Sequence, residues 1–293
     1  MENKHMFDII YNPNSAKGNG EKAFKQIAAE LDKRGISYVA HPTTYASHAI
    51  DLARELSLIP GTKLLVMGGD GTFSEVLNGI ENFENVTIGL IPCGTGNDFA
   101  RALKIPQKPL EALKKILDGK EQYTDYIQLD NKRCINCCGA GLDVDTLNRY
   151  ATMKAFKGKM KYYAALFDVL LHYKFHRLRL TVDGKTIEKN VFIICMANGQ
   201  YIGGGMPIAP HSDPFDGKLD VVVINEMKKR KILGVLLKFL RGKHIGLPCT
   251  ETYRADSAKI EILDQGMIQI DGEVFDARAL NGKIVSGKLK IFA

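Results

Sequence analysis

Three times within the first hundred residues, a short apolar run ends abruptly in a turn rich in glycine or asparagine. A segment with helical spacing then follows. The turns are Asn12-Pro13-Asn14-Ser15-Ala16-Lys17-Gly18-Asn19-Gly20, Gly68-Gly69-Asp70-Gly71-Thr72-Phe73-Ser74-Glu75, and Pro92-Cys93-Gly94-Thr95-Gly96-Asn97-Asp98-Phe99. Runs Phe7–Tyr11, 37–40, 63–67 and 86–91 read as strands. Residues 21–34, 46–56 and those from Phe73 onward read as helices, the first carrying Phe24, Ile27, Ala28 and Leu31 on one stripe. A β-loop-α rhythm of this kind requires a parallel sheet covered by helices, and such sheets bind ligands beyond the carboxyl ends of their strands.

After residue 120 the rhythm changes. Residues 126–140, 177–182, 186–197 and 219–224 are strand-like, with turns at Asp183-Gly184 and Asp216-Gly217. Helical insertions are expected at 159–172 and 228–240, and short strands separated by glycine fill the last stretch. The expected architecture is an α/β domain over 1–124 and a mostly antiparallel β-sandwich domain over 125–293, with the extreme C-terminus free to return to the first domain. At 45 % hydrophobic and 25 % charged residues, the chain has enough apolar side chains for two cores. The Gly-rich stretch 199–205 reads as a loop near the cleft between them. Cys134, Cys137 and Cys138 invite a zinc reading, but no second Cys/His pair follows at ligand spacing. They read as buried free thiols in a strand.

The second and third turns share a design. Glycines let the backbone approach a ligand closely, and a threonine is followed three residues on by an acid: Thr72 with Glu75, Thr95 with Asp98. Read as capping boxes, these start two adjacent helices whose free N–H groups suit the oxygens of a triphosphate. Asp70, a carboxylate among glycines, is a candidate to hold Mg²⁺ or its waters. A purely structural strand-to-helix turn is the competing reading of any one loop, and three in succession weigh against it. No Gly-x-Gly-x-x-Gly follows the first strand and no Walker Lys-Ser/Thr is present, so neither a dinucleotide fold nor a P-loop is indicated.

On these residues the chain resembles the bacterial diacylglycerol kinases and related lipid kinases, whose catalytic domain is shared with eukaryotic diacylglycerol and sphingosine kinases. The matching pieces are Asn12-Pro13-x-Ser15, Gly68-Gly69-Asp70-Gly71-Thr72-x-x-Glu75-Val76-x-Asn78-Gly79, Pro92-x-Gly94-Thr95-x-Asn97-Asp98-Phe99-Ala100-Arg101 and Asp271-Gly272-Glu273. The resemblance implies an ATP- and Mg²⁺-dependent kinase, diacylglycerol being the leading acceptor. It implies nucleotide contacts at Asn12, Pro13, Asn14, Ser15, Ala16, Thr43, Gly69, Asp70, Gly71, Thr72, Phe73, Ser74, Glu75 and Thr95. It implies a catalytic Mg²⁺ network of Asp70, Asp98 and Asp125, and a structural Mg²⁺ on the loop of Asp213, Asp216 and Lys218, partly through backbone oxygens. It implies Glu273 as general base. The family has glycine where this chain has Ala16; a left-handed backbone there costs alanine about 1 kcal/mol, and Gly18 and Gly20 are placed to take over the turn. Read without the family, Asp271-Gly272-Glu273 is equally an ordinary Asp-Gly hairpin with a solvated Glu.

The net charge of +7 fits an anionic partner. Residues 227–244 hold Lys228, Lys229, Arg230, Lys231, Lys238, Arg241 and Lys243 with no acid, interleaved with Ile232, Leu233, Val235, Leu236, Leu237, Phe239 and Leu240; Lys154, Lys157, Lys159 and Lys161 lie upstream. Such a helix can lie on anionic lipid, or simply pack on its own sheet with a solvated basic rim. Aromatics are not interleaved with the basic runs as single-strand binding prefers, so no nucleic acid is expected. No apolar run approaches a membrane span and none at the N-terminus resembles a signal peptide. The expectation is a cytoplasmic protein associated peripherally with an anionic membrane, with a homodimer allowed. Rival readings are a kinase of another lipid alcohol, an NAD kinase-like enzyme on a soluble acceptor, and a nucleotide-binding protein without catalysis.

Overall fold

β1 (Phe7–Tyr11), β3 (Thr62–Gly68) and β4 (Val86–Pro92) are the apolar runs foreseen above, and all three are buried almost end to end. The computed structural model describes residues 6–154, 156 and 158–292. β2 (Tyr38–Pro42) completes a parallel sheet in the order β2-β1-β3-β4. α1 (Ser15–Lys33), α2 (His48–Ser57), α3 (Asp70–Gly79), α4 (Asp98–Ala102) and α5 (Pro109–Asp118) connect and cover these strands. Two apolar layers result, one around Phe73, Leu77 and Ile88 and the other around Ile9, Ile27 and Leu31. α5 carries no glycine turn at its start and was not anticipated.

Both helices expected to open on capping boxes start elsewhere. α3 begins at Asp70, with extended Gly69 as N-cap, and α4 begins at Asp98, with left-handed Asn97 as N-cap. Thr72 and Thr95 therefore cap nothing. In α3 the glycines let the chain turn into a helix sooner than a cap at Thr72 would, whereas in α4 left-handed Asn97 delays the start to three residues past Thr95. α1 also starts early, but Ala16, Lys17 and Gly18 have φ of 46°, 63° and 88°, so a left-handed kink interrupts it. Gly18 shares the turn and Gly20 does not. Gly20 lies in the helix, against the Asn12 carbonyl, where a Cβ would stand 1.9 Å from the oxygen.

The second lobe contains β5 (Glu121–Gln128), β6 (Arg133–Cys134), β7 (Cys137–Gly141), α6 (Leu142–Thr152), α7 (Gly158–Leu171), β8 (His176–Val182) and β9 (Lys185–Ala197). They are followed by β10 (Tyr201–Ile202), β11 (Met206–Pro207), β12 (Leu219–Asn225), α8 (Lys229–Phe239), β13 (Thr250–Ala255), β14 (Ser257–Ile262), β15 (Ile268–Ile270), β16 (Glu273–Phe275) and β17 (Ala279–Phe292). Pairing among these strands themselves is antiparallel: β9 pairs β8 along its first half and β7 and β12 along its second. The sandwich interior holds Ile127, Leu178, Ile194, Val221 and Ile260. Cys134, Cys137, Cys138 and Cys195 are buried free thiols in these strands. The stretch 199–205 runs through β10 into the turn of Gly203, Gly204 and Gly205 that leads to β11, a hairpin loop beside the cleft as expected.

The lobes are joined, among other contacts, by a hydrogen-bonded patch and by one long strand. Asn78 of α3 donates to the Arg133 carbonyl and accepts from its N–H, both at 2.8 Å, while the Arg133 guanidinium donates to the Leu77 and Ile80 carbonyls at the end of α3. β17, where short strands were expected, runs for 14 residues. Its first half pairs β14; after a register shift near Gly287, its last residues pair β4 in parallel, Ile291 opposite Ile88.

Candidate active site

The three turns lie together at the carboxyl ends of β1, β3 and β4. The second and third touch through glycines: a Cβ on Gly94 would stand 2.4 Å from the Gly69 Cα. Asn97 folds the third turn back on itself, accepting from the Gly94 N–H at 2.9 Å and donating to the Gly94 carbonyl at 3.1 Å. In the first turn Asn12 Oδ1 accepts from the Asn14 N–H at 2.9 Å, and the Thr43 N–H donates to the Tyr11 carbonyl at 2.9 Å, so Thr43 stands next to that turn.

Between these turns and the second lobe lies a cleft of about 350 Å³. Lys17, Asp70, Thr95, Gly96 and Asp98 line one side; Asn136, Asp143, Tyr162, Gly204, Gln269 and Asp271 line the other. Asp70 Oδ1 accepts from the Phe99 N–H at 3.1 Å, at the start of α4. Asp98 Oδ2 accepts from the Gly204 N–H at 2.8 Å, in the β10–β11 hairpin of the opposite lobe. The remaining Asp70 oxygen and Asp98 Oδ2 meet at Gly96, where a Cβ would stand 2.9 Å and 3.5 Å from them. Burial, then the charge of Asp70, pushes the Asp98 acid up to about 6. Asp98 Oδ1 is buried without a partner. Two neighbouring carboxylates, one of which keeps an unpartnered buried oxygen, fit a divalent cation. Among the described residues no three His, Cys, Asp or Glu side chains gather closely enough to hold a metal alone. A cation at Asp70 and Asp98 therefore needs further oxygens from a ligand and water.

Asp125 is not part of this pair. It is buried under the 213–218 loop, where its Oδ2 accepts from the Gly217 N–H at 2.7 Å, and burial and then the charges of Asp216 and Asp213 raise its acid. Its backbone N–H is tied to the Pro214 carbonyl at 2.7 Å, which keeps it on that loop. Asp213 and Asp216 each accept from the N–H two residues on, at 3.1 Å and 2.9 Å; Asp216 also pairs with Arg254, and Lys218 with Asp256 at 2.7 Å.

Other expected contacts are already occupied within the protein. Phe73 is core, stacked on Phe99 at 5.6 Å, and its N–H is used by the Gly69 carbonyl. Ser74 shares a hydrogen bond with Asp271 of the second lobe. Glu75 accepts from the Ser47 N–H at 3.3 Å, ahead of α2 rather than in a cap of α3, and burial raises its acid before the nearby Glu273 charge adds to it.

Asp271 and Gly272, with φ of 49° and 86°, turn the β15–β16 hairpin toward the cleft. Asp271 accepts from the Ile135 and Asn136 N–H groups at 3.0 Å and 2.9 Å, which fixes the hairpin against β6 and β7. Glu273 follows, exposed and outside the cleft lining, with Lys132 at 3.4 Å. Sequence reasoning missed Asp143, Tyr162 and Gln269. Burial raises Asp143 to about 6, and the Tyr162 phenol is raised by burial and then by Asp143 and Asp98. The available signal was Gly141-Leu142-Asp143-Val144-Asp145, an acid among apolar residues just after a strand.

Comparison with known proteins gives two family matches: the diacylglycerol kinase catalytic domain over residues 7–129 and the YegS C-terminal NAD kinase beta sandwich-like domain over residues 136–293. The diacylglycerol kinase of Bacillus subtilis (strain 168) is 30 % identical over 268 residues, 90 % of this chain and 88 % of that protein. The diacylglycerol kinase of Staphylococcus carnosus (strain TM300) is 27 % identical over 267 residues, 90 % of this chain and 87 % of that protein. The crystal structure of a diacylglycerol kinase from Bacillus anthracis str. Sterne superposes with a TM-score of 0.72 at 22 % identity, covering 99 % of this chain and 98 % of that one. A second structure from the same organism reaches 0.79 at 23 % identity, over 100 % and 98 %.

Proposed function

From the premise that the chain belongs to the diacylglycerol kinase family, and is thus a phosphotransferase with an alcohol acceptor, we propose that it moves the γ-phosphate of ATP, with Mg²⁺, onto a lipid hydroxyl, diacylglycerol first. The observation that carries this reading is the meeting of Asp70 and Asp98 at Gly96, between two glycine turns and opposite the Asp271-Gly272-Glu273 hairpin of the other lobe.

Phosphoryl transfer needs alignment and charge neutralisation more than covalent help. Asp70 and Asp98 would hold the catalytic Mg²⁺, which when bound neutralises charge on the terminal phosphates. The first-turn N–H groups of α3 have no partner within their helix and suit phosphate oxygens, with the Asn12–Ala16 turn and Thr43 beside them. Glu273 is the proposed base for the acceptor hydroxyl, once it exchanges Lys132 for substrate. The 213–218 loop is proposed as a second, structural Mg²⁺ site, drawing on Asp213 and backbone oxygens because Arg254 already pairs with Asp216.

Membrane contact is proposed at α7 and α8. Among the described residues no helix is long and apolar enough to cross a bilayer. α8 buries Ile232, Val235, Leu236 and Phe239 but leaves Leu233 64 % and Leu237 48 % exposed among its cations. Lys157 of the upstream basic cluster and the side chain of Lys159 lie outside the described residues.

The test is transfer of label from γ-³²P-ATP to a panel of lipid and soluble alcohols in mixed micelles, with and without Mg²⁺. Labelled phosphatidic acid that depends on Mg²⁺ is the expected product; label only on a soluble acceptor overturns the lipid assignment. Sedimentation with liposomes should require acidic lipid, and binding indifferent to acidic lipid removes the α7–α8 contact.

A further inference from the structure

α6 and β15 build part of the cleft wall together, the helix supplying Asp143 and Leu147 and the strand supplying Gln269. Outside the cleft lining, one side chain ties the same two elements to each other. His176, the first residue of β8, has its Nε2 2.9 Å from Asp145 Oδ2 and its Nδ1 3.8 Å from Asp264 Oδ1. Asp145 follows Asp143 by two residues on α6. Asp264 lies in the 263–267 turn, which leads directly into β15 and the Asp271-Gly272-Glu273 hairpin.

The charges fit one state of the ring. The His176 side chain is only 14 % exposed. Asp264 Oδ2 accepts from the Arg177 N–H at 2.9 Å, whereas its Oδ1 is buried and has no hydrogen bond. A neutral imidazole carries one N–H and can serve one of the two carboxylates; the imidazolium carries two and faces both. Around the ring stand Asp143 and Asp145 of α6, Asp264 of the turn, and Tyr173, whose ring meets it edge-on at 6.3 Å. The hydrogen bond to Asp145 raises the His176 acid above the ordinary 6.5, burial opposes the rise, and the charges of Asp145, Asp264 and Asp143 add to it. A weaker contact, from the Asn148 amide to the Met267 sulfur at 3.4 Å, joins α6 to the same turn.

Resting on the kinase reading above, we propose that His176 is a positioning residue for phosphoryl transfer: its imidazolium clamps α6 to the root of β15 and so sets where Asp143, Gln269 and the Asp271-Gly272-Glu273 hairpin stand. The clamp is complete below the ordinary histidine value and is lost as pH rises through the raised value of the folded protein. Asp264 Oδ1 is then a buried charge without a counter-charge, which favours movement of the turn, and the hairpin is continuous with that turn. A displacement of about 1 Å among reacting groups can cost about 10²-fold in rate, so turnover falls on the alkaline side.

The test is transfer of label from ATP to diacylglycerol, followed from about pH 6 to about pH 9 in the unmodified protein, His176→Lys and His176→Gln. The lysine keeps its charge over that range and the glutamine has none. The unmodified kcat should fall about fivefold or more toward the alkaline end, with the KM for ATP within about twofold. His176→Lys should hold its activity there, and His176→Gln should be low and flat throughout. A merely structural histidine predicts the same fractional loss at every pH, and an alkaline fall that persists in His176→Gln overturns the clamp. A second variant, Asp264→Asn, keeps an oxygen for the Arg177 N–H and removes the charge. It should lower the titration midpoint of the His176 ring, followed by NMR and assigned by its loss in His176→Gln, and move the alkaline fall in kcat to lower pH. An unmoved midpoint in folded Asp264→Asn overturns the clamp and leaves the kinase reading standing. Failure of the unmodified protein to phosphorylate any acceptor at any pH overturns both.

Discussion

The Asp70 carboxylate receives the N–H of Phe99 at 3.1 Å, so the acid within one glycine turn caps the helix that follows the next. The same side chain thus has a structural and a proposed chemical duty, and substitution separates them. In Asp70→Asn the amide oxygen still accepts that N–H, so the melting temperature should move by less than about 2 °C. Mg²⁺-dependent turnover should fall by about 10³-fold, of the order expected when a charge-stabilising group is lost. Asp70→Ala should lose both, with about 1 kcal/mol less stability. A melting curve and a turnover assay on the pair decide it.

Gly96 stands where a methyl group would crowd the Asp70 oxygen at 2.9 Å and approach Asp98 at 3.5 Å. Gly96→Ala should therefore raise the Mg²⁺ concentration needed for half-maximal activity by tenfold or more, read from a Mg²⁺ titration. Activity with unaltered Mg²⁺ dependence would place the cation elsewhere.

Glu273 has Lys132 at 3.4 Å and an exposed side chain, so little of the fold depends on it. Glu273→Gln should leave nucleotide binding, measured by calorimetry, within about twofold, while turnover drops by 10²- to 10⁴-fold, the usual span for a lost general base. Near-normal turnover removes Glu273 from that role.

Ala16 has φ 46° and ψ 46°, a left-handed backbone that a Cβ resists. Ala16→Gly should stabilise the protein by up to about 1 kcal/mol, partly offset by the greater freedom of glycine in the unfolded chain. Thermal unfolding checks the sign.

Asp143 is fully buried and its acid is raised to about 6 from the ordinary 3.8. A carboxyl whose folded value lies above its unfolded one carries no penalty below about pH 4. The penalty grows as pH rises through the window from 4 to 6 and is complete above it. Asp143→Asn should consequently raise the melting temperature at pH 7.5, by an amount equivalent to at most about 3 kcal/mol, and change it little at pH 4. Equal shifts at both values would mean that the charge of Asp143 is not what matters.

How much of this was legible in the sequence depends on how local the determining physics is. Strands β1, β3 and β4 end where apolar runs meet Gly or Pro, and the strain at Ala16 follows from one residue type in one turn. The helix starts were misread because Thr72 with Glu75 looks self-contained, whereas Glu75 reaches Ser47 in a different unit. Asp125 and Asp98 are alike on paper; the burial of Asp125 beneath a loop some ninety residues later, through its bond to Gly217, decides its company. α6 and its Asp143 went unread because the local sign, an acid among apolar residues after a strand, does not tell that Tyr162 and Gln269 will enclose it.

β17 completes the parallel sheet of the first lobe from the far side of the sandwich. During synthesis the edge of β4 therefore emerges early and waits, with its peptide groups bare, until residues 290 and 291 have left the ribosome. An open apolar strand edge of this kind invites pairing with other nascent chains. The first lobe released on its own, or a chain cut within β17, should consequently aggregate rather than persist as an independent nucleotide binder.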